Sequence, residues 1–111
     1  MKNITILLPK NYTPTPQDVI LHVCKVFNFT PEAIIGKSRA QPLAFARQLA
    51  MVLVYHHCHT SLCQTAKLFD RHHSSVVYAR KVITETAKDK RIARVISDLM
   101  KAIDNTWESN Q

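Results

Sequence analysis

SLCQTAKLFDRHHSSVVYARKVI, residues 61–83, decides the fold of this chain. Ser61 followed three residues later by Gln64 has the spacing of a capping box and predicts a helix start. Leu62, Ala66 and Phe69 then recur at i, i+4 and i+7, one apolar stripe. A tight turn follows, in which Asp70 is expected to cap a second helix that buries Val76, Ala79 and Ile83. Arg71, His72, His73, Ser74 and Ser75 are then left outward at the start of that helix. Two short helices joined by a turn, with basic and hydroxyl groups opening the second, suit insertion into a DNA major groove. An ordinary helical hairpin with a polar end accounts for this stretch alone equally well.

The rest of the chain reads as helical too. One glycine in 111 residues argues against sandwiches and barrels, which need turn glycines, and for an all-α domain. Hydrophobic residues make up 46%, enough for a globular core without disulfide or metal staples. Ile4 to Leu8, ended by Pro9, form a short apolar run in an N-terminal extended arm, residues 1–14. Thr15 is expected to cap a helix with Pro16 at its first position, and Val19, Ile20, Val23, Val26 and Phe27 give its apolar face. Thr30-Pro31 repeats the signal for a short helix closed by Gly36, expected in the left-handed conformation. Pro42 opens a long core helix to about Tyr55 or Cys58, with Leu43, Ala46, Leu49, Ala50 and Leu53 on one side. Arg47 and Gln48 are expected to face outward near its start. After the charged segment Lys88 to Arg91, a last amphipathic helix turns Ile92, Val95, Ile96, Leu99, Ile103 and Trp107 inward. The helical domain is expected over residues 15–107, with a tail at 108–111.

Charge points to the partner. The formal net is +7, from 15 Lys and Arg against 8 Asp and Glu. Between Gly36 and Arg94 there are 11 basic and 3 acidic residues, and the remainder of the chain sums to −1. A surplus concentrated around the helix pair favours a polyanion. Other classes are less well supported. Gly36-Lys37-Ser38 lacks the upstream glycine of a phosphate loop, which here is Pro31. The cluster Tyr55-His56-His57-Cys58-His59, with Cys63, His72 and His73 further on, has no CxxC pair or other regular zinc spacing, so no metal is expected. The three cysteines are expected as thiols. No paired carboxylates or glycine-rich cradle suggests an enzyme, and no cofactor or small-molecule substrate is expected. No apolar run reaches the roughly 18 residues of a membrane span, and the start lacks signal-peptide order, so a cytoplasmic protein is expected.

The order GKSR, AxARQLAMVL, SLxxxxxLF and RHHSSVVYA resembles the C-terminal DNA-binding domain of the bacterial replication initiator DnaA, over roughly Val19 to Leu99. The resemblance implies an all-helical domain with a Trp-repressor-like helix-turn-helix that binds double-stranded DNA at replication origins, in initiation or its regulation. It implies Arg39 in the minor groove and Arg47 and Gln48 on phosphates, and Lys37 of the same basic loop is expected on a phosphate beside them. Arg71, His72, His73, Ser74 and Ser75 would open the recognition helix. Two departures stand out. The family's glycine pair after the residue matched by Phe69 is reduced here to Asp70, and the family's aspartate in the recognition helix is His72. The latter suggests a base different from the family's, towards a purine with an N7 or O6 acceptor. The chain has no room for the initiator's ATPase module, so it is expected to be either a small protein built on this domain or a piece of an initiator, and a start with its own methionine favours the first. The rival reading is a protein-interaction module that docks on a replication initiator or other partner, with DNA contact vestigial.

Overall fold

The structure is a computed structural model that describes residues 14–104; the expected arm to residue 13, Trp107 and the tail lie outside the described residues. Among the described residues six helices follow in order: α1 (Pro16–Phe27), α2 (Pro31–Ile35), α3 (Leu43–His57), α4 (Leu62–Leu68), α5 (His73–Thr86) and α6 (Lys90–Asp104). There is no strand among the described residues, and no helix is long and apolar enough to cross a membrane.

Local chemistry sets most helix starts. Thr15 accepts from the Asp18 N–H while the Asp18 carboxylate accepts from the Thr15 N–H, both at 3.2 Å. Thr30 caps α2 on the Ala33 N–H, and Ser61 and Gln64 form the expected capping box on α4. Such caps satisfy donors that the first turn leaves without a carbonyl. α3 starts differently. Its N-cap is Pro42, which follows a cis peptide bond and makes no side-chain cap hydrogen bond, and the Gln41 amide oxygen accepts from the Phe45 N–H instead.

α3 is the central helix and packs against α1, α2, α4 and α5, while α6 closes the far side of α1. Ala46, Leu49, Ala50, Met51, Leu53 and Val54 of α3 meet Val19, Ile20, Val23 and Cys24 of α1, Phe69 after α4, and Val76, Ala79 and Ile83 of α5 in one core. Two expected inward residues are not inward. Val26 is 51% exposed and Val95 41%, because the buried stripe of α1 runs through Cys24 and that of α6 through Leu99 and Ile103.

Among the described residues, those with positive φ are Asn28, His59 and Asp70, and Gly36 is not one of them. Gly36 has φ −64° and ψ −173°, extended backbone open to any residue. What asks for glycine there is space: a Cβ would sit 3.2 Å from the Glu32 carbonyl oxygen and 3.3 Å from that of Ala33. Asp70 is likewise not the cap of α5. It takes φ 53° one residue beyond the C-cap Phe69, with Asp70 N–H donating to Lys67 O and Arg71 N–H to Ala66 O. That is a Schellman turn with aspartate in the seat usually held by glycine. Aspartate tolerates the left-handed region better than most side chains, so one residue does the work expected of a glycine pair. The cap falls instead on His72, extended at φ −77° and ψ 152°.

Candidate nucleic-acid interface

α2 ends where α3 and the α4–α5 turn converge, and two arginines fasten it there. Arg47, only 5% exposed, donates from Nε to Ile34 O at 2.6 Å, from Nη1 to Ser38 O at 2.7 Å and from Nη2 to Ala33 O at 3.2 Å. Arg71, half-buried, donates from Nη1 to Phe69 O at 2.7 Å and Ile35 O at 3.1 Å, and from Nη2 to Gly36 O at 2.6 Å. The last carbonyls of a helix lack intrahelical donors, and here guanidinium groups from two other segments supply them. Burial lowers the pKa of Arg47 from its ordinary value, and the nearby positive Arg71 lowers it further. The expectation that Arg47 and Arg71 point outward is therefore corrected. The carbonyls at the end of α2 draw both side chains inward.

The loop fixed in this way carries Lys37, Ser38 and Arg39 on the surface. Lys37 Nζ lies 3.1 Å from Asp70 O and 3.2 Å from its Oδ2, a tie between the loop and the turn of the helix pair. Both side chains are well exposed, so the pair adds little stability by itself. Arg39 is exposed, and the Ser38 hydroxyl accepts from the Ala40 N–H behind it.

A concavity of 760 Å³ lies between this loop, α3 and the start of α5. It is lined by Lys37, Arg39, Arg47, Gln48, Arg71, Ser74 and Ser75, together with Ala44, Met51 and Tyr78. Four of these residues are basic and none is acidic. The surface thus offers a positive, hydrogen-bonding hollow, the complement of a phosphate backbone. Seven of the nine residues expected at the interface meet in it; His72 and His73 stand beside it at the N-terminal end of α5. The His72 Nδ1 accepts from the Ser74 N–H at 3.2 Å, with the Ser74 hydroxyl 3.0 Å from the same nitrogen. The His73 ring lies 4.2 Å from that of His72, tilted by 37°.

Ala44, Met51 and the 60%-exposed Tyr78 were not anticipated as part of this surface. Helical spacing carries the signal for all three. Ala44 and Met51 lie four residues either side of Gln48 and Arg47 respectively, and Tyr78 lies four beyond Ser74, each on the same helical face. The histidine-cysteine cluster at the end of α3 makes no comparable site. His57 Nδ1 donates to the Asp104 carboxylate at 3.0 Å, and burial pushes the Cys58 thiol up to about 11. Among the described residues, no three His, Cys, Asp or Glu side chains are grouped to hold a metal ion.

Comparison with known proteins matches this architecture. The sequence profile described as the bacterial dnaA protein helix-turn-helix matches residues 16–83, which run from the start of α1 into α5. The chromosomal replication initiator protein DnaA of Clavibacter sepedonicus is 39% identical over 87 residues, 78% of this chain and 18% of that protein. The protein of the same name from Leifsonia xyli is 37% identical over 87 residues, and that of Thermus thermophilus 33% over 87 residues, 20% of its length. The chain thus spans about a fifth of the length of these relatives. With its helix-turn-helix in α4 and α5 and a profile match over most of its length, the chain belongs to the bacterial DnaA helix-turn-helix family, a family of DNA-binding domains.

Proposed function

We propose that this protein binds double-stranded DNA sequence-specifically, in replication initiation or its regulation, at elements of the DnaA-box type. In this reading the first turn of α5 enters the major groove with His73, Ser74 and Ser75, and His72 stands at its edge. Arg39 reaches the adjacent minor groove, and Lys37 and Gln48 hold phosphates. Arg47 and Arg71 add positive potential from beneath while their hydrogen bonds hold the loop in place. The link to initiation comes from the relatives, each a chromosomal replication initiator.

One observation carries the reading. The basic loop, the start of α3 and the start of the second helix of a helix-turn-helix share one hollow lined by four cations and no anion. A helix-turn-helix contacts base edges with the N-terminal residues of its second helix and the backbone with flanking elements. That is the order of groups around this hollow.

The test is duplex binding followed by fluorescence anisotropy across a salt series. With about five or six phosphates neutralised, log K should fall against log salt with a slope near −5. Selection from random duplexes should then enrich one short element. A slope indistinguishable from zero, or no binding at low salt, refutes the reading and favours a module that docks on a protein.

A further inference from the structure

The hydrogen bonding of His72 leads beyond DNA binding in general. A neutral imidazole carries one N–H and one lone pair, and which nitrogen holds which is set by the partner of either. Nδ1 of His72 receives the Ser74 N–H as the N-cap of α5, so its lone pair is committed to the helix and the proton resides on Nε2. The ring also lies against His73, with centroids 4.2 Å apart, which restricts its rotation. Side chain and cap together leave an exposed ring at the leading end of α5, with Nε2–H as its free polar group among the described residues.

We infer that His72 is a specificity-determining residue that presents Nε2–H as a fixed donor to the N7 of a purine in the major groove, selecting against cytosine. This rests on the DNA-binding reading above. Both purines offer N7 to the major groove and guanine adds O6. Cytosine presents an amino donor, which a second donor cannot satisfy, and thymine's O4 is flanked by its methyl group. The helix fixes the choice. Were the ring free to turn its lone pair outward, the same residue could accept from an amino group, but then Ser74 N–H would lose its cap.

The experiment uses the full chain and the element recovered by selection. Each purine of that element is replaced in turn by its 7-deaza analogue, which exchanges N7 for C–H and keeps Watson–Crick pairing. The comparison protein is His72→Ser, since serine caps a helix well but is too short to carry a donor to the base. The wild-type chain should lose about tenfold or more in affinity at one purine position, the range of a base-edge contact. His72→Ser should show no penalty there and should accept the other bases at that position within about twofold. Arg39→Ala should keep the penalty, because its contact lies elsewhere. The inference is overturned if no 7-deaza purine weakens wild-type binding, or if His72→Ser suffers the same penalty. Those results would leave salt-dependent, selective DNA binding standing, so they are distinct from a failure of the broader reading. If no duplex binds at all, both fall.

Discussion

Replacing Arg47 by methionine separates two roles that one side chain could have. Methionine keeps an unbranched apolar stem inside α3 and removes the guanidinium with its three hydrogen bonds to Ala33, Ile34 and Ser38. Each bond joins a charged donor to a carbonyl, a class with a net contribution of about 1.5–3 kcal/mol. The three are not additive, and two lie in partly buried positions, so their simple sum overstates the effect. Ile34 O is the buried acceptor and would be left without its donor, at a cost of about 1–3 kcal/mol by itself. The expected loss is therefore about 3–5 kcal/mol, a large part of the roughly 5–15 kcal/mol that holds a domain of this size together. At about 4–8 °C per kcal/mol this is on the order of a 12–40 °C fall in Tm. Arg47→Lys, with one compact donor group in place of a fork, should lose less, because it can still reach one or two of the carbonyls. Urea denaturation of the free protein, followed by circular dichroism, measures both variants with no DNA present. If Arg47→Met loses less than about 1 kcal/mol at an unchanged denaturant slope, the fastening of α2 is not structural. A large loss of duplex affinity in that same variant would make Arg47 an ordinary phosphate contact.

Three further outcomes follow from other parts of the molecule. Arg39→Ala should cost about 1–3 kcal/mol in binding and flatten preference for A·T pairs at one side of the element, whereas Lys67→Ala, an equal charge change on the outer face of α4, should not alter preference; binding to a panel of substituted duplexes distinguishes the two. Burial holds the pKa of His57 below its ordinary 6.5 against the opposing pull of Asp104, so the unfolded chain takes up a proton before the folded one; stability should be full above about pH 6.5 and fall as pH drops below it, and His57→Gln should reduce that slope in urea midpoints measured from pH 7.5 to 5.5. Asp70→Gly should change stability by less than about 1 kcal/mol, while Asp70→Val, a branched side chain at φ 53°, should cost about 1–2 kcal/mol or more by thermal melting.

The helix starts were legible in the sequence because a cap is a contact over three residues. Thr15 with Pro16, Thr30 with Pro31 and Ser61 with Gln64 all stand where their spacing put them. The core of α5 was legible for a similar reason, since Val76, Ala79 and Ile83 repeat on one face and all are buried. Arg47 was misread although its position gave a clue: it lies four residues after Leu43 and three before Ala50, on the inner side of α3. Its charge suggested solvent, and only the fold brings the end of α2, 13 residues earlier, within reach of Nε. Asp70 was misread because aspartate favours both N-caps and left-handed turns. The two uses differ by backbone conformation, and the path of the chain out of α4 decides between them. His72 could not be read as a cap from its type, since histidine is not a usual cap residue and its nitrogen takes that role only through its local geometry.

The two guanidinium groups that grip the end of α2 also bear on the entropy of association. Basic arms that lack structure until they meet nucleic acid lose their freedom at that moment, and their affinity is reduced by the ordering. Here the backbone before Arg39 is already held at Ala33, Ile34 and Ser38 by Arg47 and at Ile35 and Gly36 by Arg71, while Lys37 adds a link to the turn. The ordering of that stretch is completed when the domain folds. A duplex would meet a loop already hydrogen-bonded to the helices around it, leaving exposed side chains such as that of Arg39 to be immobilised on contact.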